Sequence, residues 1–455
     1  MPASQREQTR KTLGAWYTPI ELINAVVAEV LRDFSPKTVL DPACGDGRFL
    51  QPFATGGAAV TGVDINAASG FRELGHASPN ATRLGPQSNV NSESPTSTSF
   101  NTGSNFIHDS PTATSFNSGS NFIHDNALTR DWGSTQFDAV IGNPPFLNQL
   151  ASSTSRGGRS TFGGGPYADA AAEFLALALR LTRPGGRIGL VLPLSLLGTR
   201  DAAAIRTQLD SAARLRWMWW SPTRMFDANV RTWAGVWQVG DDDRVACAAP
   251  QREFDPLIRR AFGPTFDIIQ PIPMPTTWTG LIAEGPAPAD SPTGACLGDI
   301  ATFTADFRDQ YYGLVGAVGD HPTGPPLITS GLIEPGKVLW GDRAVTFARH
   351  RYIAPRVDLT MLSPALQTWA TTRLVPKILI ANQTKIIEAV FDQHGDWLPS
   401  VPVITCLTAQ PDRVLAVLQS DRANEWVRYH AAGTGLSATS VRLSARLLAS
   451  IPLDD

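Results

Sequence analysis

The run Phe137-Asp138-Ala139-Val140-Ile141-Gly142, followed at once by Asn143-Pro144-Pro145-Phe146, constrains this chain more than any other stretch. A short apolar run with β-branched residues, stopped by Gly and Pro, reads as a buried parallel strand. The tetrapeptide then lies at the strand's C-terminal end, where open α/β sheets place their sites. Its two prolines fix φ and remove two backbone donors. What remains is a rigid turn with two acceptors, the Asn143 side-chain oxygen and the Pro144 carbonyl, beside the flat ring of Phe146. Two acceptors and a stacking face suit a planar amine such as the exocyclic N6 of adenine. The lone pair of such an amine is delocalised into its ring. Accepting hydrogen bonds from both N–H groups draws the nitrogen towards tetrahedral geometry and localises that pair. A plain surface turn would satisfy the same four residues, since Asn-Pro commonly starts turns.

A second signal precedes it. Thr38-Val39-Leu40-Asp41 reads as a strand that runs into the Gly-rich turn Pro42-Ala43-Cys44-Gly45-Asp46-Gly47 and then a helix. Glycines let a backbone approach a ligand closely. The turn lacks the third glycine of a dinucleotide fingerprint and the Lys-Ser/Thr of a phosphate loop. Asp41 at the strand end would repel phosphate but could bind an amino group. Ala59 to Ile65 reads as the next strand and ends in Asp64, 23 residues beyond Asp41, the βαβ spacing at which an acid meets ribose hydroxyls. Glycine turn plus acid implies a nucleoside cofactor without a pyrophosphate, and S-adenosylmethionine fits. Upstream, Thr18 and Pro19 read as N-cap and first residue of a helix, Ile20 to Leu31, with Glu21 at the third position.

Length and composition bound the class. At 455 residues, 42% hydrophobic and 17% charged, the chain is globular with two or three domains. No run of 18 apolar residues offers a membrane span, and the polar N-terminus has no apolar signal region. Cys44, Cys247, Cys296 and Cys406 are scattered without paired spacing, which argues against a zinc site or disulfide framework and for a reducing cytoplasm. A net charge of −3 gives no global argument for nucleic acid, so a DNA enzyme would need a local basic surface.

Taken in order, Tyr17-Thr18-Pro19, Asp41-Pro42-Ala43-Cys44-Gly45-Asp46-Gly47, Asp64 and Asn143-Pro144-Pro145-Phe146 resemble the ordered motifs of gamma-type DNA adenine-N6 methyltransferases, the modification enzymes of many restriction systems. The resemblance implies an α/β fold: a Rossmann-like methyltransferase domain with a mixed, mostly parallel sheet, plus a C-terminal α+β target-recognition domain. It implies Asn143, Pro144, Pro145 and Phe146 as the catalytic turn. It implies S-adenosylmethionine held by Tyr17, Thr18, Pro19, Asp41, Ala43, Gly45, Gly47, Asp64, Ile65, Asp125 and Phe174, for which core packing is an equal account of Phe174. It implies double-stranded DNA as partner, with the target adenine flipped between Phe146 and Phe226. For Phe226 the alternative is a core residue pinning its turn. Enzymes acting on cytosine N4, RNA adenine or a protein glutamine present the same planar amine to this turn, and a non-catalytic DNA-binding component of a defence complex is a third reading. No convincing nuclease cluster is visible, so restriction would need a separate endonuclease or other defence-system subunit.

Between Asp64 and Asn143 the chain departs from that family. About residues 67–121 form a Ser/Asn/Thr/Gly-rich insertion with a tandem repeat, Ser94 to Asp109 and Ser110 to Asp125, identical at fourteen of sixteen positions. The second copy ends in Asn121-Phe122-Ile123-His124-Asp125, which resembles the family's third strand. Asp125 rather than Asp109 should act there, because one short helix, Ala127 to Trp132, separates it from the Asn143 strand. Residues 150–167 read as a mobile lid. Ala170 to Leu181 reads as an amphipathic helix, Arg183 to Arg187 as a turn, Ile188 to Pro193 as a strand, and Arg216 to Trp220 and Trp233 to Val239 as closing strands. The resulting domains are 1–245 for methyl transfer, 246–295 as a Pro-rich connector, and 296–455 for DNA recognition. Arg343 to Lys385 holds seven Lys/Arg and one acid, Asp358. Arg349, Arg351, Lys377 and Lys385 are candidate DNA contacts there, against the alternative of a solvated surface.

Overall fold

The side chains of the central strands alternate between two separate cores, and this alternation builds the first domain. In the computed structural model, the described residues are 18–66, 120–146, 162–165, 168–221, 231–240, 265–267, 277–283, 287–290, 293–306, 308–435 and 440–453. Leu40, Val140, Leu190 and Met218 enter one core; Val39, Ala139, Ile141, Val191, Trp217 and Trp219 enter the other. A strand buried on both faces must be apolar at consecutive positions, which is why β4 (Phe137–Gly142) reads as a continuous run.

The elements in order are α1 (Ile20–Leu31), β1 (Thr38–Asp41), α2 (Gln51–Thr55), β2 (Ala59–Asp64), β3 (Asn121–His124), β4, α3 (Ala170–Leu181), β5 (Thr182–Pro193), α4 (Ala203–Ala212), β6 (Ala213–Trp220), β7 (Thr232–Val239) and β8 (Thr265–Asp267). The eight strands form one sheet in the order β3-β2-β1-β4-β5-β7-β6-β8. From β3 to β5 neighbours are parallel; β7 runs antiparallel to β5 and β6, and β8 antiparallel to β6. This is a mixed, mostly parallel Rossmann-like sheet with the order reversing at β1/β4, where doubly wound sheets hold their ligands. α1 lines one core and α3 the other.

Local expectations change in four places. Pro19, not Thr18, is the residue before α1, and no side chain caps that helix. Residues 127–132 form turns rather than a helix. The Pro184-Gly185-Gly186 segment does not end a loop before β5 but is absorbed as a bulge inside it: Phe137 pairs with Thr182 and Ala139 with Arg187, and Gly185 takes φ +78. Finally, the span assigned to a connector feeds the first domain. β8 extends its sheet. Trp278 is 3% exposed and packs with Trp233 and Trp237 at 5.9 and 6.1 Å, with its Nε1 donating to both Asp210 carboxylate oxygens. The repeat's first copy and most of the expected lid lie outside the described residues, whereas the end of the second copy is β3 itself. Among the described residues, no helix is long and apolar enough to cross a membrane.

The C-terminal part is α+β. Strands Ala389–Asp392, Lys377–Ile380, Ile404–Thr408 and Ala301–Ala305 form an antiparallel sheet in that spatial order. Ile378 and Ile380 face a core shared with helices Pro411–Gln419 and Asp421–His430, while Leu379 and Ala381 face a second core. The two parts touch directly. Arg231 Nη2 donates to the carbonyls of Gly433 (3.2 Å) and Gly435 (2.8 Å), and Thr279 Oγ1 to that of His430 (3.0 Å).

Lys377 corrects a sequence expectation. It stands on the central strand with its side chain 0% exposed, and its Nζ donates to Asp392 Oδ2 at 2.5 Å. Burial pushes the ammonium pKa down, while Asp392 holds it up. It cannot reach a DNA phosphate. Breaking a buried pair leaves an uncompensated charge, so Lys377→Ala should cost roughly 3–5 kcal/mol of stability. Denaturant titration measures this, and a loss below about 1 kcal/mol would mean the pair is solvated.

Candidate active site

The carboxyl group of Asp41 is the centre of the site. It ends β1, is 1% exposed, and accepts from Ala43 N at 3.1 Å. Its other contact is backbone. Gly142, the last residue of β4, takes φ +144, and a β-carbon there would lie 2.4 Å from Asp41 Oδ1. Glycine is thus required directly before Asn143, because the carboxyl group occupies the space where a side chain would begin. This contact sets the β1 loop against the β4 turn.

The β1 loop then turns through Gly45 (φ +51) and Gly47 (φ +81), both in the left-handed region. Cys44 N donates to Val63 O at 2.9 Å and Gly47 N to Cys44 O at 2.8 Å. Gly45 N donates to Asp64 Oδ2 at 2.9 Å, so the loop closes on the acid that ends β2. Asn66 N donates to Asp64 Oδ1 at 2.8 Å. Asn66 Nδ2 also donates to Oδ1, at 3.3 Å, so of a carboxylate's roughly four lone-pair sites one on Oδ2 is left for a hydroxyl donor. Ala43 is half-buried against one core, and Ile65 is 52% exposed beside Asp64. Asp125 continues β3, with its N–H on Asp64 O at 3.0 Å. Its carboxylate takes Arg130 Nη1 at 2.8 Å and Asn126 N at 2.7 Å. These bonds, with Arg130's first, hold its pKa below the usual value.

Three acids therefore gather on one side of the β1 loop. Burial, and then the charges of Asp64 and Asp46, push the Asp41 carboxyl up to about 8. That donor set is wrong for a phosphate and right for a cation: a sulfonium or ammonium placed here would favour the ionised form of Asp41. The residues present fit S-adenosylmethionine. Among the described residues no group of three or more His, Cys, Asp or Glu is placed to hold a metal.

Asn143 is half-buried at the end of β4, and its Nδ2 donates to Thr18 Oγ1 at 3.0 Å. Thr18 is 6% exposed, and Pro19, next to it, carries the carbonyl that accepts from Leu22 N and Ile23 N. Pro144 is buried and Pro145 half-buried. Phe146 packs against both cores at once. Phe174, at 6% exposure, is a member of the α3 core. The structure thus brings together Thr18, Pro19, Asp41, Ala43, Gly45, Gly47, Asp64, Ile65, Asp125 and the Asn143–Phe146 turn at the C-terminal ends of β1–β4. Tyr17 and Phe226 lie outside the described residues. Sequence reasoning misses the Thr18–Asn143 bond and the Asp41–Gly142 contact; only the glycine before Asn143 hints at the second.

Residues 62–219 match the family model described as Eco57I restriction-modification methylase. No match is found among curated proteins. Two solved structures resemble the chain. One is a type I restriction-modification system methyltransferase subunit from Streptococcus thermophilus, 19% identical over 50% of this chain and 46% of that one, with a TM-score of 0.33. The other is the type I restriction enzyme EcoKI M protein, 18% identical over 50% and 44%, with a TM-score of 0.33. The chain spans less than half the length of either.

The candidate DNA contacts lie far along the chain from the matched segment. Arg349 and Arg351 are exposed on a hairpin, Val345–Phe347 with His350–Tyr352, whose two turn residues Ala348 and Arg349 take φ +49 and +70. Lys385 is exposed. The other cations of the basic stretch are engaged within the fold: Arg343 with Glu334, Arg373 with Asp306, Lys377 with Asp392, and Arg356 stacked over Trp340 at 4.6 Å. The basic surface is smaller than the count of seven suggests, because acids outside the stretch neutralise three of its members.

The raised Asp41 pKa fixes a pH dependence. Between its ordinary 3.8 and about 8 the folded chain holds a proton that the unfolded chain has released. Its contribution to stability therefore falls as pH rises through that window and levels off above it. Asp41→Asn should flatten this part of the profile, gaining on the wild type at pH 8.5 relative to pH 5. Melting curves across that range, without ligand, would test it. Parallel profiles for the two proteins would show Asp41 ionised in the free protein.

Proposed function

We propose that this chain transfers a methyl group from S-adenosylmethionine to the N6 amine of an adenine in double-stranded DNA. The observation that carries the reading is the adjacency of two strand ends: the acid-lined glycine loop of β1 and the Asn143–Phe146 turn of β4, locked together through Asp41 and Gly142. Bound in that loop, S-adenosylmethionine supplies an electrophilic methyl on a positively charged sulfur. Asp64 offers an acceptor for a ribose hydroxyl, Asp125 one for an adenine amine, and the Asp41 side places negative charge near the cation. Pro19, Ala43, Ile65, Phe174 and the backbone of Thr18, whose hydroxyl is held by Asn143, complete the surroundings we assign to the cofactor.

The catalytic turn receives the target amine. The Asn143 side-chain oxygen and the Pro144 carbonyl accept its two N–H groups, Pro145 keeps the turn rigid, and Phe146 stacks on the base. The lone pair then points at the methyl group. On transfer the amine would gain the methyl and a positive charge as the S–CH3 bond breaks to leave a neutral thioether, and its proton would then go to solvent, so the site needs no strong base. Rate comes from positioning and hydrogen bonding. An amine inside the stack is unreachable, so the base must be flipped out, with Phe226 assigned to its second face. Residues 296–455 would read the DNA, with Arg349, Arg351 and Lys385 on phosphates. A nuclease partner, if the chain has one, is a separate subunit.

The decisive experiment is tritiated methyl transfer offered in parallel to duplex DNA, RNA and protein, followed by nucleoside analysis. Incorporation into DNA as N6-methyladenine is expected. Label in RNA, protein or N4-methylcytosine would redirect the reading to those substrates. Asn143→Ala should lower turnover by at least 100-fold, on the scale of losing a transition-state donor or acceptor, while calorimetry shows nearly unchanged cofactor affinity. Substantial turnover by this variant would mean another group activates the amine.

Arg349→Ala with Arg351→Ala should weaken DNA binding and flatten its dependence on log salt by up to about one slope unit per lost phosphate contact. Fluorescence anisotropy at several salt concentrations measures the slope. An unaltered slope would take the hairpin off the phosphate backbone.

A further inference from the structure

The hydroxyl of Thr18 has two roles available to it, and the structure uses neither of the obvious ones. It could cap α1, yet no side chain caps that helix. It could face the cofactor loop. Instead its Oγ1 accepts from Asn143 Nδ2 at 3.0 Å, across 125 residues of sequence, from a position only 6% exposed. The bond holds the nitrogen end of the carboxamide; because a hydroxyl can also donate, it fixes the position and plane of that group rather than its polarity alone. This matters because the two ends are chemically opposite: Oδ1 accepts and Nδ2 donates. An incoming amine presents N–H donors. Only Oδ1 can serve it, and a flipped carboxamide would set N–H against N–H.

We propose that Thr18 is a positioning residue for the transfer, anchoring the Asn143 carboxamide by its nitrogen in the rotation that turns its oxygen towards the target amine. The inference rests on the function proposed above and deepens it: the N-terminal segment enters the site through the catalytic turn, not only through the cofactor. The backbone contact between Asp41 and Gly142 fixes where the turn lies; the Thr18 bond fixes how the Asn143 side chain is rotated at its end.

The test compares Thr18→Val, which keeps the shape and removes the hydroxyl, with Thr18→Ser, which keeps the hydroxyl. Turnover at saturating DNA and cofactor, cofactor Kd by calorimetry, and melting temperature are measured for each. Thr18→Val is expected to lower kcat by about 10- to 100-fold, the loss typical of a misplaced reacting group, with cofactor Kd within about twofold and little change in melting. Thr18→Ser should recover most of kcat. A purely structural role would lower melting temperature in step with kcat and overturn the inference. So would a raised cofactor Kd with normal kcat, which would assign the hydroxyl to the cofactor. If Thr18→Val does not fold, Thr18→Ala reads the same loss against Thr18→Ser. Wild-type protein that methylates DNA while both Thr18 variants keep full kcat sinks this inference alone. Wild-type protein that transfers nothing to DNA sinks the function it rests on.

Discussion

A buried acid against a bare α-carbon organises this molecule. Asp41 closes β1, Gly142 closes β4, and the two meet where no side chain could be added. Neighbouring parallel strands fix each other's ends through their ladder, but not the paths of the loops beyond. The Asp41 carboxyl does that here, because it bonds to its own loop at Ala43 N and fills the space beside Gly142, directly before the Asn143–Phe146 turn. Burial of that carboxyl is unfavourable on its own. The fold accepts it at the point where β1 and β4 part and the sheet offers a ligand crevice.

The charge pattern follows from the same point. Asp41, Asp46 and Asp64 lie close together at the ends of β1 and β2 in the first domain, while Arg349 and Arg351 sit on a hairpin of the C-terminal part. A chain with a net charge of −3 is thus not uniformly acidic. Asp41 is buried and Asp46 and Asp64 are half-buried at the ends of β1 and β2, whereas Arg349 and Arg351 are exposed. Direct bonds from Arg231 and Thr279 to the carbonyls of the C-terminal part tie the two regions, so a ligand touching both would act on one connected body.

What the sequence made legible was local. β4 and its turn, the strand-loop-acid units of β1 and β2, and α3 with both its limits follow from short periodic patterns whose signals lie within a dozen residues. The unread features all depend on distant partners. Thr18 looks like a helix cap because its neighbours are helical; Asn143, 125 positions away, determines its use. Lys377 looks like a phosphate contact because the residues around it are basic; Asp392 on the paired strand makes it a core group. Pro184-Gly185-Gly186 looks like a loop, yet the ladder on either side of it resumes and absorbs it. The residues around Trp278 look like a connector because prolines dominate the composition, but two tryptophans on β7 offer that ring a seat.

The strand at one margin of the sheet, β3, is the tail of a duplicated segment. It is held by four backbone pairings to β2 and by the half-buried Phe122 and Ile123. The upstream copy carries the same five residues, Asn105-Phe106-Ile107-His108-Asp109. Two sequences therefore qualify for one berth. At an interior strand such redundancy would set rival registers against each other throughout the core. At the margin the pairings of β2, β1 and β4 do not depend on which copy supplies the strand, so this edge is where a repeated unit disturbs the sheet least.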